Sequence, residues 1–420
     1  MASHEFEKVI EKACTDLDIA GCALLATNRD GSFTYAKSFG KAAIGEDKPF
    51  QLDTVTWIGL TQISAPASCT KLLVSLAALH LASSNNLSLD DPDLIPTHLP
   101  ELASKPILLP PREDAPLPET PRTKPLTLRH LLTHTSGLVY DPLSPLLTSW
   151  AKTNTKHPFR GGTVSSRFDS PLAFEPGESW MYGPGIDYAG LLVERVSGGT
   201  LEDYLKTHIW EPLGIKDMTF HLSRRPDMQA RFAAMSYRSA GGRVAAAPEN
   251  PELAKVAYLT EEGSEPEGCF GGDGLFATGE EYIKVLRGVL DASLIPSSFA
   301  DEFFAPQLTQ TQADALNGLM QISSANNVMG HTNKAVRKNW GLAGLLLDAD
   351  DHEGGRKAGT MVWAGFPMLT WFVDRKTDMC GLFVTQLLPA GDQKTADLSN
   401  AFVDGVYALV ASGSEDNGRL

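Results

Sequence analysis

Runs with strand character fall at the two ends of this 420-residue chain, and helical periodicity fills the middle. That order leaves few ways to assemble a sheet. Gly21–Thr27 (GCALLAT) and Ser32–Phe39 read as strands joined by Asn28-Arg29-Asp30-Gly31, a hairpin turn. Near the other end, Gly359–Trp363, Leu369–Asp374 and Cys380–Leu387 are β-rich runs broken by turn residues. Between them, Leu72, Leu73, Leu76, Ala77, Leu79 and His80 recur at helical spacing over Lys71–Ser83. Further helices are predicted at Leu126–Thr133, with Thr127 as N-cap candidate, at Asp187–Val196, stopped by Ser197-Gly198-Gly199, at Leu201–Ile209 and at Glu280–Leu290. The charged amphipathic stretch Met1–Ala20 and the run Thr395–Ala411 supply terminal helices.

The expected fold is therefore α+β. One antiparallel sheet is built from both chain ends, flanked by the terminal helices, with a mainly helical lobe inserted. This divides the chain into a discontinuous sheet domain (1–60 and 340–412), a helical lobe (61–339) and a disordered tail (413–420). Pro96–Pro125 and the polar segment Tyr237–Gly268 are expected to be loops.

Composition narrows the function classes. A net charge of -15 argues against nucleic-acid or anionic-membrane partners, which need a basic face. No window is apolar enough to span a bilayer, and the N-terminal stretch lacks the basic and apolar regions of a signal peptide. Cys14, Cys22, Cys69, Cys269 and Cys380 are odd in number and without CxxC spacing. They suggest neither a zinc site nor a disulfide framework, and a reducing cytoplasmic compartment is expected.

The chemistry centres on S-x-x-K, because residues three apart on a helix share a face and a buried lysine can take the serine's proton. Three matches occur: Ser38–Lys41, Ser68–Lys71 and Ser149–Lys152. The first contains Gly40 at a strand end, and the third lies in a polar stretch. Only the second opens a long apolar helix, which would bury Lys71 and set Ser68 at the helix N-terminus, where free N–H groups favour a developing anion. Ser68 as a plain N-cap with a snorkelling Lys71 is the competing reading. A second segment, Phe174–Gly185, delivers Tyr182 from a Gly/Pro-rich loop directly before a helix. A tyrosine there can act as a base if a cation lowers its pKa, or can simply be a packing aromatic. A third, Thr360–Pro367, is a strand ending in small residues that can bring a backbone N–H to an oxyanion.

These three motifs, in this order, resemble the serine β-lactamase/penicillin-binding-protein superfamily, and within it the fungal, lovastatin-type polyketide acyltransferase (transesterase) group. Leu128–Leu138 (LRHLLTHTSGL), Glu211–Ile215 with Met218–Phe220, and Gly271–Phe276 (GGDGLF) extend the likeness along nearly the whole chain. The resemblance implies Ser68 as nucleophile, Lys71 and Tyr182 as the acid/base pair, and the backbone N–H groups of Ser68 and Phe366 as oxyanion hole. It places Tyr140, Trp363, Ala364, Gly365 and Trp371 in the substrate pocket, makes the His130–His134 segment architectural, and implies no cofactor and no metal. Two departures redirect the substrate. Pro184 stands where β-lactam-recognising relatives carry an amide-binding Asn, and Trp363 where they carry Lys or His, so ester rather than β-lactam chemistry is expected. A third departure is Gly59–Pro66, extra to the family pattern and just upstream of Ser68.

The implied reaction moves an acyl group from an ester or thioester, such as one on an acyl carrier protein or coenzyme A, to a hydroxyl of a polyketide-like secondary metabolite, by a monomeric enzyme. A carboxylesterase would use the same residues, and a catalytically silent binding protein is the third reading.

Overall fold

The computed structural model describes residues 4–57, 69–111, 117–156, 161–239, 242–246 and 264–416. Seven strands form the main sheet: β1 (Gly21–Thr27), β2 (Thr34–Gly40), β3 (Lys338–Trp340), β4 (Leu345–Leu347), β5 (Met361–Gly365), β6 (Leu369–Asp374) and β7 (Met379–Val384). Their spatial order is β3-β4-β5-β6-β7-β1-β2, antiparallel throughout. The chain ends meet where β1 pairs with β7, Leu24 opposite Phe383. As expected of an α+β chain with strands at both ends, one sheet draws on both.

Alternation along β1 sorts its side chains onto two cores. Cys22, Leu24 and Ala26 join a core shared with the terminal helices α1 (Glu5–Thr15) and α6 (Gln393–Asp416), through Phe6, Ile10, Phe402 and Val406. Ala23 and Leu25 face the larger core, where helix α5 (Gly279–Leu290) covers the sheet. Helix α2 (Thr70–Ser84) lies within that larger core and is buried on almost all sides, so its apolar residues run right round it. It packs against α4 (Gly185–Ser197), which ends on Gly198 in the left-handed conformation. Between them in sequence, α3 (Leu128–Leu132) starts at the predicted cap: Thr127 accepts from the backbone N–H of His130, and the His130 ring reciprocates toward the Thr127 backbone N–H.

Several expectations are corrected. Pro96–Pro125 is not simply loop: it holds a helical turn at Pro100–Ala103 and a short antiparallel pair, Ile107–Leu108 with Glu119–Thr120. In Tyr237–Gly268, Ser236–Arg238 pairs with Val244–Ala246 and with Leu387–Leu388, while 247–263 lies outside the described residues. The final helix continues past Ser412 to Asp416. The Ser149–Lys152 match sits on a helix, Pro145–Thr153, with both side chains exposed. Val55–Trp57 pairs with Phe276–Thr278 rather than with the main sheet, whose β3 begins at Lys338.

Candidate active site

Lys71 occupies the first turn of α2 and is only 1% exposed. Its Nζ donates to the Gly272 carbonyl at 2.8 Å and to Tyr140 Oη at 3.2 Å. The Tyr140 hydroxyl in turn donates to Asp187 Oδ2 at 3.1 Å, and Asp187 Oδ1 accepts the Gly272 N–H at 2.7 Å. Lysine, tyrosine, aspartate and one peptide unit thus close a buried ring of hydrogen bonds. Burial pushes the Lys71 pKa down to about 8, while the charges of Asp187 and Asp273 pull the other way. Asp273 is wholly buried, and neither of its carboxylate oxygens has a hydrogen-bond partner among the described residues. Burial, reinforced by Asp187, raises its pKa to about 7.

Tyr182 presents its ring face to Lys71, with Nζ 4.8 Å from the centroid. The phenol is fully buried, and its Oη has no hydrogen-bond partner among the described residues. Burial, then the Asp187 charge, holds its pKa well above the usual value, so it stays protonated at neutral pH. The Gly-Pro-Gly that follows Tyr182 is dictated by close backbone packing. A Cβ at Gly183 would sit 1.9 Å from the Leu138 carbonyl oxygen, and one at Gly185 2.5 Å from that of Leu131. Met181 N–H donates to the His134 carbonyl, and the Tyr140 N–H to that of Tyr182. The LRHLLTHTSGL segment is therefore the bed on which the tyrosine loop rests. His130 is engaged in the α3 cap. The His134 ring packs tilted against that of Tyr182, 4.6 Å between centroids, and is kept neutral by burial, with the Lys71 charge acting in the same direction.

Strand β5 closes a third side. Trp363 packs on Tyr182 (5.3 Å between rings) and edge-on to Trp340 (4.6 Å). At the strand end, a Cβ on Gly365 would lie 3.2 Å from Cys69 Sγ, so this backbone runs directly against the residue that caps α2. Ala364 and Phe366 are buried beside it, and a turn closed by Met368 N–H to the Gly365 carbonyl follows. Trp371 is the cross-strand neighbour of Trp363 and is wholly buried, its ring edge at Gly344.

The structure thus brings Lys71, Tyr140, Tyr182, Trp363 and the Ala364–Phe366 backbone together around the start of α2. Ser68 and Gly59–Pro66 lie outside the described residues. Asp187, Asp273 and the Gly272 carbonyl were not anticipated in this role. GGDG was noticeable as a motif, but nothing in its local sequence announces a buried carboxylate. Among the described residues, the group with metal-ligating geometry lies elsewhere, at Glu202, His221 and Cys269.

Residues 6–403 match the beta-lactamase family. The chain is 35% identical over 416 residues to monacolin J acid methylbutanoyltransferase of Aspergillus terreus, covering 97% of this chain and 96% of that protein. It is 34% identical over 398 residues to lovastatin esterase of Penicillium rubens, covering 93% and 94%. In three dimensions it is similar to a mutant of simvastatin synthase from Aspergillus terreus, with a TM-score of 0.85, 34% identity and 97% of each chain covered. With the lysine–tyrosine arrangement and the sheet drawn from both chain ends already in place, these likenesses settle the kinship: the chain belongs to the beta-lactamase family.

Proposed function

We propose that this protein is a serine acyltransferase that moves an acyl group from a thioester donor to a hydroxyl of a polyketide-like acceptor through a Ser68 acyl-enzyme. The observation that carries the reading is Lys71, a buried amine with its pKa lowered to about 8, three residues after Ser68 in sequence and surrounded by Tyr140, Asp187 and Tyr182. An amine so tuned is neutral in a substantial fraction of molecules near neutral pH and can accept a proton.

In the first step Ser68 Oγ attacks the acyl carbonyl while its proton passes to Lys71 Nζ. The resulting oxyanion is met by the backbone N–H groups of Ser68 and Phe366. One such donor is worth about 10²–10³ in rate. Collapse expels the thiolate, which takes the phenolic proton of Tyr182, and the Lys71 ammonium restores that proton. Because burial keeps Tyr182 a phenol, the acid role falls to it and the base role to Lys71. In the second step the acceptor hydroxyl gives its proton to Lys71 and attacks the acyl-enzyme; collapse of the intermediate releases the ester and expels Ser68 Oγ, which takes that proton back from the Lys71 ammonium. Apolar Trp363 and Pro184, which lacks a side-chain donor, suit an ester better than a β-lactam. An acyl carrier protein of a polyketide synthase, or coenzyme A, is the donor carrier in this reading, and the enzyme acts as a monomer.

Hydrolysis by the same residues is the second reading, favoured by the 34% identity to a lovastatin esterase. Intact-mass measurement after incubation with an acyl thioester mimic separates the two. An adduct on Ser68 that persists in water and leaves on addition of an alcohol supports transfer, whereas rapid loss in water supports hydrolysis. Ser68→Ala should abolish the adduct; full activity in that variant would refute the mechanism.

A further inference from the structure

We propose that Glu202, His221 and Cys269 bind one zinc-class divalent cation. The three come from separate parts of the chain: the first turn of the helix Leu201–Leu205, the residue following Met218–Phe220, and the segment leading into Gly271–Asp273. Their ligand atoms nevertheless lie within 4.8 Å of one another, and Cys269 Sγ is 4.0 Å from His221 Nε2. Tetrahedral zinc with Zn–S near 2.3 Å and Zn–N near 2.0 Å requires about 3.5 Å between such donors, so small side-chain movements complete the site.

The donor set suits the ion. One sulfur, one imidazole nitrogen and one carboxylate oxygen form a borderline-soft group that favours zinc over calcium or magnesium, which take oxygen ligands. The carboxylate is already oriented. Glu202 Oε2 accepts the Phe220 N–H at 2.7 Å, and the Thr219 hydroxyl donates to the same carboxylate at 3.2 and 3.3 Å. Held this way, the carboxylate keeps lone pairs on Oε1 for an ion, as outer partners do at built metal sites. His221 and Cys269 are 6% and 4% exposed, whereas Glu202 is half-buried, so the ion would enter from the Glu202 side and keep a water as fourth ligand.

The ion's role would be to tether rather than to react. Cys269 stands three residues before Gly272, whose carbonyl and N–H hold Lys71 and Asp187. A cation at Cys269 would anchor that segment to the neighbouring helix.

The full-length protein, stripped with chelator and dialysed, is titrated with zinc sulfate by calorimetry and by thermal unfolding. One zinc per chain should bind with micromolar or tighter affinity, and saturation should raise Tm by about 2 °C or more. His221→Ala and Cys269→Ser should each weaken binding at least tenfold, whereas His80→Ala, altering the His80–His208 pair (4.4 Å between rings), should leave it unchanged. Absence of binding at about 100-fold excess over micromolar protein, or stoichiometric binding that survives both substitutions, would overturn the site. A cobalt titration of the unaltered protein covers the case of variants that do not fold. A thiolate-to-cobalt charge-transfer band supports a cysteine ligand, and its absence overturns the proposal.

Discussion

Replacing Asp187 by Asn tests whether Lys71 is the base, because removing a charge that acts on a titrating amine moves the pH profile of the step that amine catalyses. Asn keeps the shape and can still accept the Gly272 N–H, but it removes the negative charge that favours the Lys71 ammonium. The hydrogen bonds through Tyr140, 3.2 and 3.1 Å, cap the Nζ–carboxylate separation at about 6 Å. At an effective dielectric near 20, a unit charge at that distance contributes about 2.5 kcal/mol, or roughly two pH units. The sign follows directly. Asp187 raises the Lys71 pKa, so its removal lowers it from about 8 toward about 6. Acylation needs the neutral amine, and its rate should therefore rise with pH up to about 8 in the parent protein and level off about two units earlier in Asp187→Asn. The plateau should fall, since Tyr140 loses its acceptor. The assay is single-turnover release of a chromophoric leaving group from an activated ester between about pH 5 and 10. A limb that stays near pH 8, or climbs, would show that Lys71 is not the titrating group.

Two further outcomes follow from the same geometry. Tyr182→Phe removes the phenolic proton but keeps the ring against Lys71 and Trp363, so kcat should fall by about 10²–10⁴ with KM little changed, read by steady-state kinetics. Gly183→Ala forces a Cβ against the Leu138 carbonyl and should destabilise the fold by about 3 kcal/mol or more, measured by urea denaturation; parent-like stability would contradict the packing.

Local chemistry made part of this molecule legible in its sequence. The β1–β2 hairpin follows from two short strand-like runs joined by an Asn-Arg-Asp-Gly turn, α3 from a capping threonine, and the end of α4 from a glycine that tolerates the left-handed conformation. The choice of Ser68–Lys71 over the other two matches depended on burial, which the continuous apolar character of α2 made readable. Asp187 and Asp273 were not readable, for a physical reason. In sequence, Asp187 is an ordinary first-turn acid of α4 and Asp273 an ordinary turn residue. Both become buried counter-charges only because α2, α4 and the Gly271–Gly274 segment converge. The short pairings inside Pro96–Pro125 were hidden similarly, since two-residue strands carry no periodicity and exist through tertiary contact alone.

The pairing of β1 with β7 sets Ala23 opposite Val384 and has a consequence for how the protein is made. During synthesis the hairpin leaves the ribosome long before the strand that will flank it, and its inner edge stays unsatisfied until nearly the whole chain has been translated. Sequence separations of this size slow folding and prolong the exposure of that edge. The strand carrying Trp363 and Gly365 hangs in the same sheet, so a message broken before Met379 yields no reduced-activity fragment. It yields an unpaired, sticky edge, and recruitment of chaperones to nascent chains arrested at that length would be the cellular trace.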